Sequence, residues 1–252
     1  MGERTELFQT SQLDWDRQFT SQAEWTHELR SSLLSRVNLA TGSLVLEPGC
    51  GTGVILGDLP PCKPLGLDLK FELLQVAKSK SLSSLTQANA YAMPFAPHSI
   101  DCLITHYFFL WVEPRQVLAE AIRVLKPGSP IIAFAEPSHA DRIDHPPELE
   151  RLGKMQTRSL QSKGVNIRAG AALREAFEIA GLQNVTAGLM GGEWTKENSQ
   201  LSVDDIRTLK YDLEGQIDAS QLGELLKIEE KSRSNGSRIL FVPTFYAIGY
   251  TP

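Results

Sequence analysis

Cysteine and histidine are scarce in this chain of 252 residues. Its three cysteines, Cys50, Cys62 and Cys102, form no C-x-x-C pair, and their odd number argues against a disulfide framework. Its five histidines include no pair with the H-x-x-x-H spacing of a helical zinc site. We therefore expect neither a metal centre nor a fold held together by disulfides.

Dense basic runs and long apolar runs are also missing. The formal net charge is -5, whereas a nucleic-acid groove must neutralise several phosphates, so we expect a small-molecule substrate and no nucleic-acid partner. No run approaches the roughly 20 apolar residues of a membrane span, and the N-terminus M-G-E-R-T-E-L lacks the apolar core of a signal peptide. These absences predict a cytoplasmic protein without a membrane span, and we expect a monomer or a homodimer.

What the chain does have is an alternation of short apolar runs with amphipathic ones. From Ser43 to Glu136 this pattern predicts βαβ units, which build a parallel sheet covered by helices on both faces. Strands are predicted at Leu44–Leu46, Pro64–Leu69, Ser84–Asn89, Ile100–Thr105, Pro130–Ala135, Asn184–Met190 and Arg238–Tyr250. Helices are predicted at Phe71–Lys78, Pro114–Leu125, Glu148–Ser162 and Ala171–Ala180, and a polar helical stretch at Ser202–Arg233. The sequence thus predicts an α/β fold.

We expect one domain, 1–252, made of consecutive segments. Polar residues with apolar positions at helical spacing predict an N-terminal helical segment over 1–40, before a core over 41–136. Further helices and a strand follow over 137–190, and the last strand covers 238–252. A plain hairpin needs only a few residues between its strands, so the stretch 191–237 is predicted to be a helical insertion.

The most informative stretch runs from Ser43 to Gly53 and reads S-L-V-L-E-P-G-C-G-T-G. An apolar strand ends at Glu47, and glycines follow with the spacing G-x-G-x-G. Glycines lack a Cβ, so a ligand can lie directly on the backbone. The carboxylate would repel a pyrophosphate and favour a ligand that carries an ammonium and a sulfonium. A dinucleotide fingerprint, G-x-G-x-x-G, would need its third glycine one residue after Gly53.

Polar or small residues also follow the later predicted strands. Asp68 ends the second strand, Asn89 and Ala90 follow the third, and Thr105 and His106 end the fourth. In open α/β sheets, ligands bind at the carboxyl ends of the strands, near the point where the strand order reverses. These residues therefore predict one pocket, together with the glycine stretch.

These motifs resemble those of the class I S-adenosylmethionine-dependent methyltransferases, in the small-molecule branch that includes the ubiquinone and menaquinone C-methyltransferases. The matching stretches are L-E-P-G-C-G-T-G, G-L-D-L, N-A-Y-A-M-P-F, S-I-D-C-L-I-T-H and R-V-L-K-P-G, between about residues 40 and 136. The resemblance implies a Rossmann-like, doubly wound sheet of seven mostly parallel strands with an antiparallel last strand. It also implies S-adenosyl-L-methionine as the cofactor and S-adenosyl-L-homocysteine as the product.

The resemblance further implies how the cofactor is bound. The backbone of Gly49–Gly53 would face its methionine and ribose portion, Glu47 would favour its amino end, and Asp68 would accept hydrogen bonds from the ribose hydroxyls. Asn89 stands where many relatives carry Asp, so its side-chain carbonyl would accept from the adenine amino group with less charge. The implied cofactor-binding residues are Glu47, Gly49, Cys50, Gly51, Gly53, Asp68, Leu69, Asn89, Ala90, Met93, Thr105 and Trp25.

His106 and Tyr107 are the candidate catalytic residues, because they follow the fourth strand. Histidine is the side chain best matched to proton transfer at neutral pH. The alternative is that His106 only hydrogen-bonds backbone at the start of a helix. His139 and Arg142, after the fifth strand, are candidate contacts of the acceptor.

Aromatic residues of the N-terminal segment allow two interpretations. Trp15, Phe19 and Trp25 lie at spacings that suit core packing by an amphipathic helix. Alternatively, residues 11–30 form a lid with Trp25 near the sulfonium, while the insertion near Trp194 closes the acceptor side. A lid would exclude water and offer apolar surface to a hydrophobic acceptor.

The sequence predicts a methyltransferase that acts on O, N or C of a small, moderately apolar metabolite. Two alternatives stay open: a catalytically silent cofactor-binding partner protein of the same fold, and a protein or peptide methyltransferase. The Asn-Pro motif that is typical of amino methylation of bases and of glutamine is absent after the fourth strand, where T-H-Y-F occurs.

Overall fold

The computed structural model describes residues 15–194, 203–213 and 215–252. Its strands, in chain order, are β1 Leu44–Pro48, β2 Lys63–Asp68, β3 Leu85–Gln87, β4 Cys102–Thr105, β5 Pro130–Pro137, β6 Ile143–His145, β7 Gln183–Met190, β8 Ile239–Phe241 and β9 Thr244–Tyr250. Its helices are α1 Trp15–Leu34, α2 Val54–Gly57, α3 Phe71–Ser79, α4 Pro114–Val124, α5 Glu150–Ser162, α6 Ala169–Ile179, α7 Val203–Asp212 and α8 Ala219–Ser234.

The described chain divides into two compact units. The sheet unit comprises Trp15–Pro137, Ala169–Met190 and Thr244–Pro252. The insert unit comprises Ser138–Arg168 and the described part of Gly191–Pro243. The candidate cofactor-binding residues all belong to the sheet unit.

The sheet unit contains a seven-stranded sheet in the order β3-β2-β1-β4-β5-β9-β7. Strands β1 to β5 are parallel, and β9 is antiparallel to both β5 and β7. The predicted fold class is therefore confirmed. The strand order reverses between β1 and β4, where Val45 pairs with Cys102, so the carboxyl ends of these strands form the crevice in which such sheets bind ligands.

Helix α1 covers this sheet with a narrow buried face. Its buried residues are Ala23, Thr26, Arg30 and Leu33, which are three or four positions apart and therefore lie on one side of a helix. Ala23 and Leu33 pack in one apolar cluster with Val45, Ile104 and Phe134 of the central strands. The same face therefore brings a buried hydroxyl and a buried guanidinium against the sheet.

Local sequence signals set several of the element bounds. Pro114 opens α4 as predicted, and the Glu113 side chain accepts a hydrogen bond from the Arg115 amide. The C-terminal stretch differs from its prediction, because residues 238–250 form two strands, β8 and β9. Val242 and Pro243 separate them, and proline has a fixed φ and no N–H for a ladder hydrogen bond.

The predicted helical stretches are present where they can be compared. Helices α7 and α8 occupy the stretch from Ser202 to Arg233, of which Ser202 and Glu214 lie outside the described residues. Residues 1–14 of the predicted N-terminal segment also lie outside them. No helix in the described ranges is long and apolar enough to cross a membrane.

The insert unit is held together by buried charges as well as by apolar contacts. Strands β6 and β8 pair in an antiparallel ribbon. Behind it, Arg238 donates to Glu229 and to Asp144 at 2.8 Å, and Arg142 donates to Asp144 at 2.6 Å. These side chains are almost fully buried, so each charge depends on its partner.

Candidate functional site

The glycine loop between β1 and α2 is fixed by backbone hydrogen bonds. Gly49 and Gly51 have φ values of +71° and +53°, which residues with a side chain rarely adopt. The amides of Gly49 and Cys50 both donate to the Leu67 carbonyl, at 2.6 and 3.1 Å. Thus the end of β2 sets the shape of this loop.

Asp68 ties the same strand end to the loop. One carboxylate oxygen, Oδ2, accepts the Gly51 amide at 2.8 Å, and the other, Oδ1, accepts the Lys70 amide at 2.8 Å. Each carboxylate oxygen has a second lone pair, so both can still receive a ligand hydroxyl. The geometry suits the ribose-binding role that the sequence predicts for this residue.

Glu47 is a buried acid with an unused oxygen. It is 2% exposed, and its Oε2 has no hydrogen-bond partner within the described residues. Burial raises the pKa of its carboxyl well above the ordinary value of 4.5, while the Arg30 guanidinium lowers it and Asp68 raises it further. A buried, unpaired acceptor of this kind suits the ammonium end of a bound ligand. The side chain of Thr52, within the glycine loop, is also buried.

The residues after β2 and β3 that are expected to contact the adenine differ in their exposure. Ala90 and Met93 are buried, whereas Leu69 is 67% exposed. The Asn89 side-chain carbonyl accepts the Tyr91 amide at 2.9 Å, so one of its two lone pairs is already used. Its predicted hydrogen bond to an adenine amino group stays a prediction.

His106 has a partner that the sequence did not reveal. Its Nε2 lies 2.9 Å from the hydroxyl of Thr26 on α1. Burial lowers the pKa of His106 to about 3, and the nearby Arg30 charge acts in the same direction. The imidazole is therefore neutral at pH 7 and binds a proton weakly.

Tyr107 is held in an unusual backbone conformation. Its φ is +52°, its amide donates to the Ala135 carbonyl at 2.9 Å, and its ring lies edge-on to His106. Burial raises the pKa of the phenol above its ordinary value of 10.0, as does the charge of Glu136. The buried phenol thus stays protonated at neutral pH.

Two phenylalanines lie against the glycine loop. A Cβ built on Gly49 would lie 2.5 Å from the Phe108 ring, and one built on Gly51 would lie 2.8 Å from the Phe19 ring. Only glycine lets these rings approach the backbone so closely. Phe19 was visible in the sequence as one of the helix aromatics, but no local pattern singles out Phe108.

The N-terminal tryptophans take different positions. Trp15 stacks near Phe19 with ring centroids 5.7 Å apart, and the Lys70 ammonium lies 5.6 Å over its ring. Trp25 is 54% exposed. Its predicted place near a sulfonium stays a prediction, and the contacts favour Phe19 as the α1 aromatic beside the loop.

The remaining residues that the sequence analysis connects with the acceptor, His139, Arg142 and Trp194, belong to the insert unit. Burial lowers the pKa of His139 to about 4, and its Nδ1 has no partner among the described residues. Arg142 is engaged with Asp144 and Gln156. Trp194 donates to the Leu240 carbonyl at 3.3 Å. Within the described ranges, no group of three His, Cys, Asp or Glu side chains could hold a metal ion.

Residues 46–133 match the family model described as "Methyltransferase domain". A demethylmenaquinone methyltransferase from Renibacterium salmoninarum is 34% identical over 45% of this chain and 49% of its own length. A tRNA (carboxymethyluridine(34)-5-O)-methyltransferase from Arabidopsis thaliana is 30% identical over 36% of this chain and 23% of its own length. The chain thus spans less than half the length of these curated relatives.

Solved structures share the fold of this chain. Phosphoethanolamine N-methyltransferase 2 from Haemonchus contortus, in complex with S-adenosyl-L-methionine, has a TM-score of 0.60 and 14% identity, covering 100% of this chain and 60% of that one. S-Adenosylmethionine is the cofactor typical of the matched family. The match over residues 46–133, the strand order and the glycine loop thus show that this chain contains a methyltransferase domain with the class I S-adenosylmethionine-dependent methyltransferase fold.

Proposed function

We propose that this protein transfers a methyl group from S-adenosylmethionine to O, N or C of a small, moderately apolar metabolite. The observation that carries the proposal is the unpaired, buried Oε2 of Glu47 beside the glycine loop. A buried acceptor without a partner is costly unless a ligand donor completes it. The cofactor, when bound, supplies an ammonium for this oxygen and an electrophilic methyl group for the reaction.

The residues of the chain bind, orient and exclude water. Glu47 holds the amino end, and the free lone pairs of Asp68 receive the ribose hydroxyls. The rings of Phe19 and Phe108 cover the glycine loop with apolar surface. Such a dry, positioned site can supply much of the rate of an in-line displacement, because the reacting atoms are held about 3 Å apart.

His106 orients a neighbouring group rather than removing a proton. With its pKa lowered to about 3, it has too little affinity for a proton to act as a general base at neutral pH. We expect His106→Ala to lower kcat while cofactor affinity stays within about threefold of wild type. We also expect the wild-type pH profile to show no step near pH 6.5 that His106→Ala removes. Equal turnover in the two proteins would take His106 out of the mechanism.

The decisive experiment separates binding from turnover. Calorimetry with S-adenosylmethionine and S-adenosylhomocysteine tests the cofactor site, with Asp68→Ala as the control that should bind more weakly. Formation of S-adenosylhomocysteine is then measured with phenols, amines, quinols, peptides and tRNA as acceptors. Turnover of a small acceptor supports the proposal.

The other outcomes favour the alternatives. Tight cofactor binding without turnover of any acceptor would favour the silent partner protein. Turnover of the peptide alone would favour a protein methyltransferase. Turnover of tRNA alone would agree with the name of the Arabidopsis relative and would contradict the small-molecule proposal.

A further inference from the structure

Glu136 is a buried acid for which the proposed reaction has no role so far. It lies near the end of β5 and is 0% exposed. Its Oε1 accepts the Phe108 amide at 2.9 Å. Burial raises the pKa of this carboxyl to about 8, while the amides of Phe108, Phe109 and Leu110 lower it. The Phe108 amide therefore donates to this carboxyl group, and the next two amides lie near enough to lower its pKa.

These amides belong to the β4 exit loop, which we define as residues 105–111. Tyr107 has a left-handed backbone conformation there, which costs about 1–2 kcal/mol for a residue with a side chain. The Trp111 amide donates to the Phe108 carbonyl at 2.9 Å and closes a turn. A strained backbone of this kind persists only where the surrounding structure holds it.

The β4 exit loop carries two side chains of the candidate site. His106 points to Thr26, and Phe108 lies on Gly49. The glycine loop itself is held from β2, through the Leu67 carbonyl and Asp68. A change at Glu136 should therefore move His106 and Phe108 without releasing the glycine loop.

We propose that Glu136 is a positioning residue for methyl transfer: its buried carboxyl group holds the β4 exit loop and so places His106 and Phe108 at the glycine loop. This inference rests on the proposed function only for its effect on turnover. The hold on the loop is a separate property, which amide exchange measures without any acceptor.

Two substitutions at Glu136 test whether its carboxyl group acts as a hydrogen-bond acceptor. Glu136→Gln keeps a side-chain carbonyl that can accept the Phe108 amide, and it has nearly the same shape. Glu136→Ala removes the acceptor and leaves the buried Phe108 amide unpaired. Thr251→Ala is the matched control, because Thr251 is buried and accepts the Ser129 amide beside the opposite end of β5.

The first measurement is hydrogen exchange of a peptide that spans residues 106–111. We expect Glu136→Ala to speed exchange there by about tenfold or more, since local opening no longer breaks the bonds to the carboxyl group. Glu136→Gln and Thr251→Ala should stay near wild type in this peptide. Unchanged exchange in Glu136→Ala would overturn the proposal, whatever the enzyme activity.

The second measurement compares kcat with the Kd of S-adenosylhomocysteine. We expect Glu136→Ala to lower kcat by at least about tenfold while Kd changes by less than about threefold. Glu136→Gln should restore most of kcat. If Glu136→Ala and Thr251→Ala both fold and lose kcat equally, Glu136 contributes only to the general stability of the protein. That result would overturn the positioning role. Absence of turnover in wild type would instead refute the proposed function and leave the exchange result standing.

Discussion

Two loops meet at the carboxyl edge of the sheet, and they are held in different ways. The glycine loop is fixed by its own glycines and by hydrogen bonds to Leu67 and Asp68 of the neighbouring strand β2. The β4 exit loop has no glycine, and a carboxyl group 28 residues further along the chain holds it. A loop whose shape follows from glycine leaves a motif in the sequence, whereas a loop held by one distant acid does not.

The two loops should also respond differently to pH and to substitution. The following predictions test that difference, beginning with the largest expected effect.

The β4 exit loop should make stability depend on pH through Glu136. Its folded pKa of about 8 lies above the ordinary value of 4.5, so the folded state keeps a proton that the unfolded state loses. The stabilising contribution is therefore complete below about pH 4.5 and is lost as the pH rises to 8, on the order of a few kcal/mol. Denaturant unfolding of wild type and Glu136→Gln at pH 5 and pH 8 measures it.

Of the two proteins, only the wild type should lose this contribution to its stability as the pH rises. Glu47 has a raised pKa of the same sign, but it is present in both proteins and cancels in the difference. The phenol of Tyr107, beside Glu136, stays protonated throughout this range. Identical pH dependence in wild type and Glu136→Gln would mean that Glu136 is ionised in the folded protein.

At the glycine loop, Asp68→Ala should weaken cofactor binding by about 1–3 kcal/mol, which is roughly 5- to 150-fold in Kd. The carboxylate would no longer bind the ribose or hold the Gly51 amide. Asp101→Ala is the matched control, because Asp101 accepts the Leu44 amide at 2.8 Å at the opposite end of β1. Calorimetry should show normal affinity in the control, and unchanged affinity in Asp68→Ala would place the ribose elsewhere.

Gly49→Ala should separate backbone strain from contact with Phe108. Both Gly49 and Gly128 have left-handed φ values, so alanine at either position should cost about 1–2 kcal/mol of stability. A Cβ at Gly128 meets nothing within 4 Å, whereas one at Gly49 would lie 2.5 Å from the Phe108 ring. We expect cofactor affinity to fall by about tenfold only in Gly49→Ala. Equal affinity in the two variants would show that the ring moves aside freely.

The smallest effect should distinguish the aromatics of α1. Phe19→Leu should weaken cofactor binding by about 0.5–1.5 kcal/mol, because its ring lies on Gly51. Trp25→Leu should cause a smaller loss, since Trp25 is 54% exposed. Titration calorimetry compares the two variants. A larger loss in Trp25→Leu would support the lid that the sequence suggested.

Much of the sheet unit could be predicted because its signals are local. Alternating apolar runs gave the first five strands with bounds that differ by a few residues, and Pro114 gave the start of α4. The prediction of one strand over 238–252 missed the break at Pro243, although proline is itself a local signal. The partner of His106 could not be predicted, since Thr26 lies 80 residues away and belongs to a helix face defined only by packing.

The sequence by itself determined the α/β fold, the glycine loop and the acids Glu47 and Asp68, because strand periodicity and glycine conformation act over a few residues. Tertiary structure decided the rest. It brought Thr26 to His106, Phe108 to Gly49 and Glu136 to the β4 exit loop. It also set the pKa of His106 at about 3 and that of Glu136 at about 8, because burial acts through the solvent that the whole fold excludes.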